Sequence, residues 1–223
     1  MTARAIQIKN YITDLFAKED DSLQAIRTIS REKGLPEIEV PEAVGRLIYS
    51  LAKIQRPKRI LEIGTLAGYS TLWLAKALRE DGFLISLELN ESNALIAKEN
   101  IGLSGFFNKV EIRVGSADSL MDAMIEKGEE PFDLIFIDAD KESYLSYLDR
   151  AIELSREGTL ILSDNLIPKG EEIGAYHPSY TAGNSIYAFN EAIAAHPRLE
   201  STLVTTIVGN SGRIDALGLS IVV

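Results

Sequence analysis

The stretch Arg59-Ile60-Leu61-Glu62-Ile63-Gly64-Thr65-Leu66-Ala67-Gly68-Tyr69-Ser70 decides how this chain folds. Five strand-forming residues run into a turn bounded by glycines, and an apolar helical pattern follows over 69–78. The same rhythm then repeats. Strand runs at 83–89, 110–114, 132–137 and 159–163 alternate with helical runs at 94–101, 119–125 and 144–154. Strands that alternate with helices predict an α/β fold, a parallel sheet with helices on both faces.

Working outward, residues 1–56 read as helical. Ile8, Tyr11, Ile12, Leu15 and Phe16 recur at helical spacing. Asp21-Ser22 is read as the cap of a second helix carrying Leu23, Ile26 and Ile29, and Pro41 opens a third that runs toward Lys53. Lys18-Glu19-Asp20-Asp21 reads as a solvated link. These helices have no strands of their own and are expected to lie across the core at 57–223, so the chain is read as one domain. At the other end, 166–183 is a long loop rich in Gly, Pro and charge. A helix at 186–195 follows, then strand runs 199–208 and 216–223. The short joint Gly209-Asn210-Ser211-Gly212-Arg213 makes those two antiparallel.

The composition sets bounds. The chain has 223 residues, 46% of them hydrophobic, enough for a sizeable core. Its formal charge is -10, from 23 basic and 33 acidic residues, which argues against broad contact with phosphate backbones or anionic membranes. It has no cysteine, so disulfides, thiolate metal sites and cysteine nucleophiles are excluded. No run has the length of a signal peptide or membrane span, and a cytoplasmic enzyme or binding protein is expected.

The turn after the first strand is not a dinucleotide fingerprint, because Leu66 and Tyr69 stand where glycines would be needed. Glu62 before the turn would repel a diphosphate but suits a cationic ligand. Glu88, ending the second strand, is placed to accept hydrogen bonds from ribose hydroxyls. A nucleoside with a positive centre and no phosphate fits both acids, and S-adenosylmethionine is such a molecule. Two later strands also end in acids, in Phe132-Asp133-Leu134-Ile135-Phe136-Ile137-Asp138-Ala139-Asp140-Lys141 and in Gly158-Thr159-Leu160-Ile161-Leu162-Ser163-Asp164-Asn165. Two carboxylates and an amide oxygen suit a hard cation, and a lysine beside them can move a proton.

Glu62-Ile63-Gly64-Thr65, Gly68-Tyr69-Ser70, Ile137-Asp138-Ala139-Asp140-Lys141 and Ser163-Asp164-Asn165 together resemble the cation-dependent O-methyltransferases. This is the caffeoyl-CoA O-methyltransferase-like family with its bacterial branch, distantly similar to catechol O-methyltransferase. The resemblance covers nearly the whole chain. It implies a Rossmann-like S-adenosylmethionine-dependent methyltransferase fold, with seven mostly parallel strands and an antiparallel last one. It implies donor contacts at Val40, Glu62, Gly64, Thr65, Ser70, Glu88, Ala117 and Asp138. It implies a divalent cation, Mg²⁺ first and Ca²⁺ or Mn²⁺ next, on Asp138, Asp164 and Asn165, with Lys141 as the catalytic lysine beside Asp138. It also implies a homodimer.

The reaction expected is methyl transfer to a hydroxyl of a vicinal aromatic diol. A phenol titrates near about 10, and a cation favours its anion. Asp140 is read as standing behind the site or capping the next helix, Asp133 as strand entry, Trp73 as core and His196 as a helix end. Tyr176, His177 and Tyr180 lie in the long loop, where they could stack on an acceptor. The plant enzymes carry Trp-Asn where this chain has Pro168-Lys169 before Gly170, which directs the expectation to a small catechol, a caffeate-like acid, a flavonoid or another bacterial metabolite. Two alternatives stand beside this one: a tRNA hydroxyuridine O-methyltransferase, opposed by a loop poor in basic residues, and a non-catalytic S-adenosylmethionine-binding dimer module, opposed by the intact Lys141 and cation-binding set.

Overall fold

The computed structural model describes residues 3–168, 181–209 and 212–223. Lys169, Gly170, Tyr176, His177 and Tyr180 of the long loop lie outside the described residues, as do Asn210 and Ser211. Three helices, α1 (Ala3–Phe16), α2 (Asp21–Glu32) and α3 (Glu42–Gln55), precede the sheet. Then follow β1 (Arg59–Ile63), α4 (Tyr69–Ala77), β2 (Phe83–Glu88), α5 (Glu91–Leu103), β3 (Val110–Val114), α6 (Ala117–Glu126) and β4 (Phe132–Ile137). A short 3₁₀ turn at Lys141–Ser143 leads into α7 (Tyr144–Glu153), β5 (Ser155–Ser163), α8 (Thr181–Ala195), β6 (Leu199–Val208) and β7 (Arg213–Val222).

The seven strands lie in the order β3-β2-β1-β4-β5-β7-β6. The first five are mutually parallel, and β7 runs antiparallel to both β5 and β6. The chain leaves β1 toward β2 and β3, then crosses back to β4 on the other side of β1. The order therefore reverses between β1 and β4, and a crevice opens at such a point beyond the carboxyl ends of the strands.

Strand side chains alternate between two apolar layers. Ile60, Leu84, Leu134, Phe136 and Leu162 pack with Leu23, Ile26, Ile48, Leu72 and Trp73, so α2, α3 and α4 cover one face. Leu61, Ile63, Ile85, Ile135 and Ile137 pack with Met121, Met124, Tyr144, Leu148 and Phe189 of α6, α7 and α8 on the other. Trp73 is in the core, as expected. Among the described residues, no helix is long and apolar enough to cross a membrane.

Five expectations need correction. α8 begins at Thr181 rather than 186, so the stretch expected to be loop as far as 183 already ends in helix. The N-cap of α2 is Asp20, not Asp21-Ser22: extended Asp20 accepts the Leu23 N–H at 3.1 Å. The acids at 18–21 are not merely a solvated link. Glu19 accepts from Arg27 Nε and from the Tyr69 hydroxyl, each at 2.6 Å, and Asp20 pairs with Lys76. β5 begins at Ser155 rather than 159, because its opening residues Arg156, Glu157 and Gly158 are exposed and carry no apolar signal. β7 begins at Arg213 rather than 216, since Arg213 pairs with Val208 across the hairpin.

Candidate active site

The residues that matter lie one step beyond strands that fix their backbones. Gly64 N–H donates to Leu87 O, Asp138 N–H to Ile63 O and Asp164 N–H to Ile137 O, at 3.0, 2.9 and 3.0 Å. Each bond extends the parallel ladder past the last residue of its strand. The chain then turns, and a cavity of about 750 Å³ opens above. Val40, Gly64, Thr65, Ser70, Glu88, Ala117, Asp138, Lys141 and Asn165 all line it.

Gly64 has φ +99°, and a Cβ there would lie 2.1 Å from the carbonyl oxygen of Asp138. The geometry shows a backbone that must approach another backbone, where β1 and β4 end side by side.

Glu62 is fully buried and does not line the cavity. Its carboxylate accepts from the hydroxyls of Ser70 (2.6 Å), Thr71 (2.5 Å) and Ser86 (2.6 Å), and Ser86 in turn meets the Thr65 hydroxyl at 2.5 Å. It bears on the cavity through Ser70, whose hydroxyl it orients. Burial raises the Glu62 carboxyl to about 7 despite those three donors, and the Asp138 charge adds to the rise.

Glu88 accepts the N–H groups of Thr65 (3.2 Å) and Leu66 (2.8 Å) with one oxygen and that of Asn90 (2.9 Å) with the other. It holds the turn in place, including Leu66 in a left-handed conformation at φ 50°. Val40 lends its carbonyl to Arg27 at 3.2 Å, and Arg27 stacks on the Tyr69 ring 4.3 Å from its centroid. The N-terminal helices thereby form a wall of the cavity.

At the β4–β5 end the balance of partners differs. Lys141 Nζ donates to Asp138 Oδ1 at 3.3 Å and to the Asp164 carbonyl at 3.1 Å, and it contacts the Tyr144 hydroxyl. Burial raises the Asp138 carboxyl, the lysine partly offsetting the effect. Burial and the Asp138 charge together raise Asp164. Asp164 Oδ1 is buried and has no hydrogen-bond partner among the described residues. Asn165 sits beside them at φ 62°, a conformation asparagine tolerates.

Among the described residues, no group of three His, Cys, Asp or Glu side chains is gathered as a metal cage. The donors here are two carboxylates and an amide. The unpartnered oxygen of buried Asp164 and its repulsion with half-buried Asp138 are what a hard cation would relieve, so the residues fit one that keeps further positions for water or ligand oxygens.

Asp140 accepts from Ser143 N–H (3.2 Å) and the Tyr147 hydroxyl (2.6 Å), capping the turn as expected, while its residue also lines the cavity. Asp133 accepts the N–H groups of Lys58 and Arg59 at the strand entry and pairs with Arg156; burial pushes its carboxyl up, but these donors hold it below the usual range. His196 lies just past α8 and accepts the Arg198 N–H at 3.1 Å. Sequence reasoning missed two residues. Tyr144 is fully buried, with its hydroxyl within reach of Ile137 O and Asp164 O (3.2 and 3.0 Å) under Lys141. Asp215 is fully buried against Asn165. The usable signal for Asp215 was an acid interrupting an apolar strand run two residues after an arginine.

The sheet, its cavity at the switch point and a turn without the dinucleotide fingerprint place the chain in the class of α/β proteins that bind a ligand beyond their strand ends. The chain belongs to the O-methyltransferase family: a family profile of that description matches residues 13–211. It is 39% identical over 215 residues to the catechol O-methyltransferase of Niastella koreensis, covering 96% of each chain. It is 34% identical to that of Mycobacterium tuberculosis, covering 95% of this chain and 93% of the relative. Its fold superposes on the O-methyltransferase from Bacillus cereus in complex with SAH with a TM-score of 0.91, at 36% identity and 97% coverage of both chains. For the O-methyltransferase TomG from Streptomyces achromogenes, in complex with SAM, the TM-score is 0.90 at 34% identity, covering 100% of this chain and 99% of that one.

Proposed function

We propose that this chain transfers a methyl group from S-adenosylmethionine to one hydroxyl of a small vicinal aromatic diol, with a divalent cation, Mg²⁺ first, held by Asp138, Asp164 and Asn165. One observation carries the reading. Asp138 with Lys141 and Asp164 with Asn165 converge beside a nucleoside-sized cavity, and a buried Asp164 oxygen lacks a hydrogen-bond partner among the described residues. Relatives named catechol O-methyltransferase and structures holding SAM or SAH support it.

The transfer is an in-line displacement. The acceptor oxygen forms a bond to the methyl carbon, and the carbon–sulfur bond breaks with its electron pair going to sulfur, which becomes a neutral thioether. A cation bound at this site would favour the phenolate over the phenol. Ser70, with its hydroxyl proton directed at Glu62, offers lone pairs to the donor's ammonium. Glu88 offers acceptor oxygens to the ribose, and Val40, Gly64, Thr65 and Ala117 shape the surface around it. Lys141, held by Asp138 and the Asp164 carbonyl, receives the phenol proton or stabilises the phenolate charge. Fixing the oxygen against the methyl group supplies further rate.

The test is transfer of labelled methyl from S-adenosylmethionine to catechol with Mg²⁺, with EDTA, and with tRNA as a rival acceptor. A monomethylated catechol that disappears in EDTA and returns with Mg²⁺ is expected; full activity in EDTA would overturn the cation assignment, and preference for tRNA the acceptor. Lys141→Ala should lower turnover by on the order of 100-fold or more. Lys141→Arg keeps the charge without the base, so recovery in that variant assigns Lys141 to charge stabilisation and its absence to proton transfer. The reading includes a homodimer. Tyr11, Leu15 and Phe16 of α1 are 62%, 59% and 63% exposed and offer an apolar face to a second copy, which light scattering checks.

A further inference from the structure

We infer that Asp215 is a positioning residue that fixes which end of the Asn165 amide faces the cation site. This rests on the cation-dependent reading above. The Asp215 carboxylate is completely buried and fully used. One oxygen accepts Asn165 Nδ2 at 3.1 Å and Arg213 Nη2 at 2.5 Å; the other accepts the N–H groups of Ile167 at 3.0 Å and Ala216 at 2.9 Å. With four donors on two oxygens, Asp215 has little capacity left to ligate an ion itself.

The backbone around Asn165 is pinned on both sides. Asp164 N–H extends the ladder to Ile137 O, and Leu166 N–H donates to Ala216 O at 3.1 Å. What remains free is the end-for-end rotation of the amide. Its two ends have nearly the same shape but opposite chemistry: the oxygen can ligate a cation, whereas the NH₂ presents two protons to it. A carboxylate can only accept, so Asp215 takes the NH₂ and turns the oxygen to the other side of the amide carbon. The Arg213 guanidinium balances the added negative charge, so orientation is gained without a further uncompensated acid beside Asp138 and Asp164.

The experiment measures Mn²⁺ affinity, by the EPR signal of free Mn²⁺, for the wild type, Asp215→Asn, Asn165→Ala and the double variant, with S-adenosylhomocysteine affinity and thermal unfolding recorded in parallel. Asp215→Asn should weaken Mn²⁺ binding about 10- to 100-fold while S-adenosylhomocysteine affinity changes by no more than about twofold. In the Asn165→Ala background it should cost no more than about a further twofold, because there is no amide left to orient. Wild-type Mn²⁺ affinity in Asp215→Asn, or losses that multiply in the double variant, would overturn the inference and leave the cation site standing. A wild type that binds no Mn²⁺ would overturn the cation site and this inference with it. If Asp215→Asn unfolds early, the exchange Asp215→Asn with Asn165→Asp decides: a carboxylate at 165 needs no choice of end and receives the new amide's NH₂, so Mn²⁺ binding should recover. Continued loss in a folded exchange variant would overturn the inference.

Discussion

Two pairs of acids end neighbouring strands of one sheet and live under opposite conditions. Under β1 and β2, Glu62 takes three hydroxyl donors and Glu88 takes three backbone N–H groups, so the chain itself supplies donors to both. Under β4 and β5, Asp138 and Asp164 have Lys141 between them, and one Asp164 oxygen is left over. In the sequence the four look alike, each an acid at the end of an apolar run. The inventory of partners separates them: Glu62 and Glu88 spend their oxygens on holding the turn and its floor, with Glu88 still at the cavity wall, whereas the unpartnered Asp164 oxygen has room for the cation of the proposed function.

The sharpest way to break that contrast is Asp164→Asn. Turnover should fall on the order of 1000-fold, about 4 kcal/mol on the barrier, with donor affinity retained. The cation-free protein should unfold at the same or a higher temperature, since a repelling buried charge has gone. A variant that keeps its turnover, or that loses donor binding with it, would place Asp164 in the floor. Next in size is Gly64→Ala. The new Cβ meets the Asp138 carbonyl and demands a left-handed backbone, so urea unfolding should show a loss of about 3 kcal/mol. Near-wild-type stability would mean that β1 and β4 can separate at their ends.

The smallest effect concerns pH. The Glu62 carboxyl is raised from an ordinary 4.5 to about 7, so folding favours its protonated form. The stability this contributes is complete below 4.5 and is lost as pH rises through about 7, by at most about 3 kcal/mol. Denaturation between pH 5 and 8 should therefore show a fall in stability that Glu62→Gln flattens. An unchanged slope in that variant would assign the fall to Asp138 and Asp164 instead.

Much of this was legible in the chain. The strands at 59–63, 110–114 and 132–137 have the ends that their strand-like patterns of apolar residues give them, and the order of elements follows from the alternation. The start of β5 was not legible, because Arg156 and Glu157 are exposed and polar. Nor was the start of β7, because Asp215 breaks the apolar run in which it stands. In the site, the cluster at Asp138, Lys141, Asp164 and Asn165 could be read from strand ends alone. The depth of Glu62 could not, since it depends on Ser86 from another strand. Asp215 meets Asn165 across fifty residues, and Glu19 meets Tyr69 across the same span. Local pattern carries no information about such pairs.

The turn at Thr65 and Leu66 has one more consequence. In dinucleotide-binding folds the N–H groups of the equivalent turn are the hole into which a phosphate fits. Here Glu88 already fills that hole with an anion built into the chain. A phosphate brought to this turn would meet a carboxylate in place of free N–H groups, so the turn works as a self-occupied anion hole.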